Sequence, residues 1–362
     1  MLSLFWTLIV GSGLGLAAIA AFLGYVHFRY TPIVARIFEE KPLFLPLRVA
    51  PTVEGEDVEF TTADGLRLAG TYLRATVDRR LGVVVFCHEY LSDRWSALAY
   101  AGHLRELGFD LFCFDFRNHG RSDSDPRYRP LQWVTDHELS DLRAAMRHLR
   151  SRPDADPAGV GLFGVSRGGG TALCAGGKDP NVWGVVTDGA FPTRGMMVAY
   201  MSRWAEIYVS AKSIWARMPV QVFEFLAWAA RKKSQAKLHC RFPDVERAIA
   251  RLSPRPLLMI HGEKDAYIGP QIARALFALA GQPKEIWIVP KAKHNRCREV
   301  DNPTYLLRVA TFFLNAAPRV TSSVPKSRDA VVDRTEDSVT AAEPDPVATT
   351  APAVVASNAL SH

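Results

Sequence analysis

The sequence predicts an α/β fold: a mostly parallel, doubly wound sheet carrying a helical cap, preceded by one N-terminal transmembrane helix. Three observations predict it. Short apolar runs alternate with helical stretches through the middle of the chain, one connection between two runs is far too long for a crossover, and the N-terminal region carries no charge over the thickness of a bilayer. With 362 residues, 48% of them hydrophobic and 22% charged, the chain can bury a large core.

Residues 4–26, LFWTLIVGSGLGLAAIAAFLGYV, hold no charged side chain. At about 1.5 Å rise per residue, a helix of this length crosses a hydrocarbon layer of roughly 30 Å. A cleaved signal peptide is the competing reading, with Ala18-Ile-Ala20 imitating a cleavage site. Against it, no Lys or Arg precedes the run, and the run is longer than a signal peptide's apolar region. Arg29, Arg36 and Lys41 follow the span, so the positive-inside rule puts the rest of the chain in the cytoplasm. Gly11 and Gly15 form a G-x-x-x-G pair through which two such helices would make a homodimer. The reading is a single-pass anchor over residues 1–28 and a juxtamembrane linker over 29–56.

From Asp57 the pattern changes. DVEFTTADGLRLAGTYLRA alternates apolar and polar residues about Asp64-Gly65, the signature of a hairpin. The runs LGVVVFC (81–87), FDLFCFDF (109–116), VGLFGV (160–165), VWGVVTDG (182–189), RPLLMIHG (255–262) and EIWIVP (285–290) are continuous, as strands buried on both faces are. Helical stretches at 94–107, 137–151 and 303–316 complete the strand–helix alternation of a parallel sheet. Roughly 65 residues of helical character separate Asp188 from Pro256, far beyond an ordinary crossover. They are expected to sit as a cap over the C-terminal edge of the sheet. The core thus occupies residues 57–189 and 255–318, and the cap 190–254.

Residues 319–362 are rich in Ala, Val, Thr, Ser, Pro and Asp, without aromatics or periodicity, and are expected to be disordered. The chain's net charge of +7 comes with no basic and aromatic array of a nucleic-acid-binding motif, so nucleic acid is not an expected partner. A basic face toward anionic lipid suits the anchor better. Cys87, Cys113, Cys174, Cys240 and Cys297 are irregularly spaced, and no pair has zinc-ligand spacing. Cys87 and Cys113 sit in apolar runs and Cys174 on the helix after Ser166; all three read as small buried thiols, consistent with a reducing compartment.

The segment GLFGVSRGGGTALC (161–174) passes from a strand run into a helix through G-V-S-R-G. That context gives the G-x-S-x-G pattern its meaning: the backbone turns so sharply at the serine that Gly164 and Gly168 must leave room for it. The plain alternative is Ser166 as a helix N-cap. A serine nucleophile needs a base and an orienting carboxylate, following in the order Ser, Asp, His. HGEKDAYIG places Asp265 after one strand run, and KAKHNR places His294 after the next, so all three converge on one sheet edge. Asp188 and Glu263 are the rival carboxylates; His103, His137 and His148 lie on helices as surface or packing residues. An oxyanion hole needs two backbone N–H groups, one from Arg167 and one from the loop HEYLSDRWS after VVVFC.

With VVFCHEYLSDRWS, FDFRNHGRSD, GVSRGGG, HGEKD and KHN, the chain from about Asp57 to Ala316 resembles the α/β-hydrolase superfamily. It is most similar to the serine-aminopeptidase-like and monoacylglycerol-lipase-like branch, which includes membrane-anchored abhydrolase-domain proteins. The resemblance implies hydrolysis of an ester, thioester or amide through an acyl-enzyme; the sequence shows no motif for a metal or nucleotide cofactor, so none is expected. The resemblance also implies Tyr90 as the second oxyanion donor, and a chiefly structural part for Asp115, Arg117 and His119. Where the branch reads His-Gly-x, this chain has Glu89 in place of glycine, which bears on the shape of the hole.

Cap residues 190–252 hold eleven Lys or Arg against four Asp or Glu, together with Trp204, Trp215 and Trp228. Pro219 starts a helix, VQVFEFLAWAARKK, that ends in a basic cluster. An ordinary lid helix with a solvated basic end is one reading; a lid that touches anionic membrane and admits an acyl chain is the other. The expected substrate is a small acyl ester or lipid-like molecule, with a peptidase as runner-up. A tethered binding protein on the same fold is the reading from another class, favoured only by Glu89.

Overall fold

A computed structural model of the chain describes residues 2–39, 46–208 and 218–318. The tail 319–362 and Trp215 of the cap lie outside the described residues. Helix α1 (Leu2–Glu39) is followed by strands β1 (Glu56–Thr61) and β2 (Arg67–Leu73), the antiparallel hairpin turning at Asp64-Gly65. Each continuous apolar run then supplies one strand: β3 (Gly82–Cys87), β4 (Phe109–Phe114), β5 (Val160–Val165), β6 (Val182–Asp188), β7 (Leu257–Gly262) and β8 (Lys284–Val289).

The eight strands form one sheet in the order β1-β2-β4-β3-β5-β6-β7-β8. β2 meets β4 antiparallel, and the pairs from β4 through β8 are parallel. Every residue of β3 to β7 is buried, which is why those runs show no alternation.

Helices α2 (Ser96–Ala101, continued by a tighter turn over Gly102–Leu107), α3 (Asp136–Ser151) and α4 (Arg167–Gly176) belong to the first half of the core. α3 opens on a capping box, Thr135 accepting from the helix N-terminus while Glu138 accepts from the Thr135 N–H at 2.9 Å. Between β6 and β7, where a cap is expected, the described residues form α5 (Thr193–Tyr208), α6 (Val220–Leu238) and α7 (Val245–Ala250). α8 (Pro270–Ala278), the short α9 (Cys297–Val300) and α10 (Asn302–Ala316) are the last of the described helices. Leu142 and Met146 of α3, Leu173 of α4 and Leu276 of α8 fill one face of the sheet; Tyr100 of α2 with Val309 and Phe313 of α10 fill the other.

A third apolar cluster joins the cap to α1 and differs from the sequence reading. Over Ser12–Arg36, α1 is long and apolar enough to cross a membrane. It continues as helix to Glu39, through the first part of the linker expected from residue 29. The reason is a buried stripe at helical spacing: Val26, Val34, Ala35 and Phe38 pack with Trp133, Phe191, Met196, Phe223 and Leu226. The Phe38 ring stacks on Phe242 at 4.6 Å and lies 5.1 Å from Trp133.

Candidate active site

Ser166 stands between β5 and α4 with φ 51° and ψ −115°, a conformation that L-residues avoid and that costs on the order of 1–3 kcal/mol. The two glycines make it feasible. A Cβ at Gly164 would lie 2.3 Å from the Gly168 carbonyl oxygen, and one at Gly168 would lie 2.1 Å from that of Cys87. The Ser166 N–H donates to the Asp188 carbonyl at 2.7 Å, which pins the turn to the end of β6.

The Ser166 Oγ lies 3.0 Å from His294 Nε2, and His294 Nδ1 lies 2.6 Å from Asp265 Oδ2. The other carboxylate oxygen of Asp265 accepts the Tyr267 and Ile268 N–H groups at 2.9 and 2.8 Å. Burial alone would push this carboxyl up, but the hydrogen bond and charge of His294, with the Ile268 N–H, outweigh it and hold it below its ordinary range. An ionised Asp265 only accepts, so Nδ1 carries the proton, Nε2 presents its lone pair, and the Ser166 hydroxyl donates to it. The loops after β5, β7 and β8 thus bring Ser166, Asp265 and His294 together at one sheet edge.

The rival carboxylates are engaged elsewhere. Asp188 accepts from the Tyr305 hydroxyl at 3.0 Å, and burial raises its pKa to about 6. Glu263 accepts the Lys291 N–H at 3.0 Å. Arg167, the first residue of α4, is fully buried; its guanidinium meets Glu138 and His119, each at 3.3 Å, and lies over the Tyr90 ring at 5.4 Å. Tyr90 sits in the loop that leaves β3.

Glu89 is wholly buried in that loop. Its carboxyl accepts the Leu47 N–H at 3.2 Å and the Ser96 hydroxyl at 3.4 Å. The same short segment is fastened twice more: Ser92 Oγ donates to the Leu47 carbonyl at 3.0 Å, and Arg48 donates to the Leu91 carbonyl at 2.6 Å. The residue that departs from glycine therefore ties the chain beyond α1 to the loop carrying Tyr90. Burial raises the Glu89 pKa from 4.5 to about 7. A carboxyl raised on folding contributes stability at acid pH that is lost as pH climbs through the folded value. Glu89→Gln is accordingly expected to gain stability relative to the native chain between pH 5 and pH 8; thermal unfolding at the two pH values reads it, and a constant difference would refute the assignment.

Above Ser166 and His294, Gln132, Trp133, Phe191, Met196, Tyr200 and Tyr267 help line a narrow cavity of about 20 Å³. Sequence reasoning passed over Trp133, since it lies between elements; an isolated tryptophan just before a helix cap was the available signal. The side chains of Asp64, Asp125 and His137 also come within 4.8 Å of one another. Arg117 already serves that cluster, donating to Asp64 at 2.8 Å and meeting His137 Nδ1 at 3.0 Å.

A model of the alpha/beta hydrolase family matches residues 84–309, and the chain belongs to that family. Over 270 residues it is 26% identical to the uncharacterized protein YfhR of Escherichia coli O157:H7, covering 72% of this chain and 81% of that protein. A thiohydrolase, aneE of Aspergillus aculeatus, is 31% identical over 120 residues, 33% of this chain and 36% of its own length. Among solved structures, an esterase of Pyrococcus furiosus, PF2001, superposes with a TM-score of 0.55 at 21% identity, covering 77% of this chain and all of that one.

Proposed function

We propose that this protein is a membrane-anchored serine hydrolase of the serine-aminopeptidase-like and monoacylglycerol-lipase-like branch, cleaving acyl esters or thioesters through an acyl-enzyme. The observation that carries this reading is the chain of hydrogen bonds from Ser166 Oγ through His294 to Asp265, beginning at a strained turn. As Oγ attacks the substrate carbonyl carbon, His294 Nε2 takes the hydroxyl proton and Asp265 stabilises the resulting imidazolium. The Arg167 and Tyr90 N–H groups bind the oxyanion. Collapse of the tetrahedral intermediate breaks the bond to the leaving alcohol or thiol, which takes the proton from His294. Water, deprotonated by His294, then attacks the acyl carbon, releasing the acid and restoring the Ser166 hydroxyl.

The apolar side chains around the cavity favour an acyl group over a peptide, whose amides would give up hydration to enter. Among the described residues Trp133 Nε1 is buried without a hydrogen-bond partner, and Trp133 lines the cavity. The uncharged stretch of α1 anchors the domain, and the basic residues after it place the domain on the cytoplasmic side.

The test is covalent labelling with a fluorophosphonate, together with kcat/KM for p-nitrophenyl acyl esters against aminoacyl p-nitroanilides. Labelling is expected, with its loss in Ser166→Ala and preference for the esters. Labelling that persists in the variant would remove Ser166 from the mechanism; faster anilide turnover would make the enzyme a peptidase; a native chain that neither labels nor turns over would be a binding protein.

A further inference from the structure

Helices α1 and α6 run side by side in the same direction. The His27 ring lies 6.0 Å from that of Phe225, the Ala35 carbonyl accepts from Ser234 Oγ at 3.2 Å, and Glu39 accepts from Lys237 at 2.8 Å. These partners are 198, 199 and 198 positions apart in the sequence, so the register is constant along both helices. Carried along the axis, it sets Val220 level with Phe22, Trp228 level with Tyr30, and Lys232 and Lys233 level with Val34 and Ala35.

α1 carries no charged side chain before Arg29, and its Ile19, Phe22, Tyr25 and Phe28 are exposed. If the hydrocarbon layer ends near Val26, Trp228 stands about four residues, or roughly 6 Å, beyond it at 1.5 Å per residue. The headgroup layer of one leaflet is about 5–8 Å thick. Trp228 therefore falls at the depth where tryptophan is favoured, and it is 52% exposed there, stacked on Phe225 at 6.1 Å. Glu224 stands four residues deeper, on the outward face, level with Val26 at the hydrocarbon boundary. Lys232 and Lys233, both exposed, lie about another turn outward, within reach of lipid phosphate.

We propose that the stretch of α6 from Phe225 to Trp228 is seated in the headgroup layer of the leaflet from which α1 emerges, with Trp228 as its interfacial anchor. This rests on the reading of α1 as a membrane span. The occupant of the exposed α6 face is phospholipid, because the face is continuous with the apolar surface of α1 and, beyond Glu224 at the hydrocarbon boundary, passes from Trp228 to Lys232 and Lys233 in the order in which a leaflet passes from its interface to phosphate. Phe223 and Leu226, on the buried side of α6, pack in the cluster that contains Trp133, Phe191 and Met196 of the cavity wall. The wall that receives substrate is thereby braced on the bilayer surface. A substrate already dissolved in that layer is presented to the cap without crossing water.

The test uses the full chain in vesicles of phosphatidylcholine and phosphatidylglycerol in equal parts, with a nitroxide on Trp228→Cys, Ile19→Cys or Arg67→Cys in turn. Collision rates with oxygen, which concentrates in lipid, and with a water-soluble nickel chelate give the depth of each label. The expected oxygen-to-nickel ratio is highest at 19, intermediate at 228, and several-fold lower at 67. A label at 228 as open to nickel as that at 67, with 19 still deep, would overturn the seating of α6 and leave the anchor intact. A label at 19 open to nickel would overturn both. A label at 228 sheltered from both reagents would overturn lipid as the occupant and put a second copy of the chain there. None of these readouts depends on turnover, so they stand apart from the test of ester hydrolysis.

Discussion

Asp265→Asn is expected to leave the protein folded and to lower kcat for an acyl ester by about four orders of magnitude. Asparagine keeps an oxygen for the Tyr267 and Ile268 N–H groups, so the loop after β7 retains its hydrogen bonds. Toward His294 it can turn its amide N–H, which puts the imidazole proton on Nε2 and removes the lone pair that the Ser166 hydroxyl needs. KM should change little, since the Asp265 side chain does not itself line the cavity above Ser166 and the asparagine keeps the hydrogen bonds to Tyr267 and Ile268. Asp188→Asn is the control: it keeps an acceptor for Tyr305 and should change kcat less than tenfold. Single-turnover kinetics on both variants read the difference, and the opposite ranking would transfer the acid to Asp188.

The second large effect is on stability. Arg117 is fully buried and donates to Asp141 at 2.8 and 2.6 Å, with Asp64 completing its fork. Burial already holds the Asp141 pKa up at about 6 despite this partner. Arg117→Met would leave a buried carboxylate alone, at a cost of about 3–5 kcal/mol, or on the order of 10 °C in Tm at roughly 2–4 °C per kcal/mol for a domain of this size. Without Arg117, Asp141 binds its proton still more tightly than in the native fold, so the deficit should grow as pH rises above about 6 and level off below it. Arg117→Met with Asp141→Leu should recover most of the loss, because both charges leave together. A double variant no more stable than the single one would assign the loss to packing.

The parts legible in the sequence are those where one local pattern has one structural meaning. Continuous runs such as VGLFGV have no polar face to expose, so they announce strands covered on both sides. Ser166, Asp265 and His294 each follow the C-terminal end of such a run, which fixes them to the same end of the sheet before any distance is known. The parts that stayed hidden depend on contacts between distant segments. Glu89 reads as a misfit for glycine until Leu47, 42 positions earlier, is found on its carboxyl. Likewise, nothing in residues 29–39 says that the helix continues; Phe38 stays helical because Trp133 and Phe242 wait for it. Trp133 itself belongs to no periodic segment, and only the assembled cavity gives it a place.

All five cysteines are free and buried, and burial raises the pKa of Cys87, Cys113, Cys174, Cys240 and Cys297 alike. Such thiols are poor nucleophiles, and none is held in a bridge whose formation would need an oxidant. The hydrolase core is therefore indifferent to redox poise: it needs neither glutathione to keep it open nor an oxidase to close it. Whichever side of a membrane receives the domain, its core would mature there by packing alone. If α1 spans a membrane, the choice of side falls to Arg29 and Arg36, which follow its uncharged stretch, so orientation and foldability are specified by separate parts of the chain.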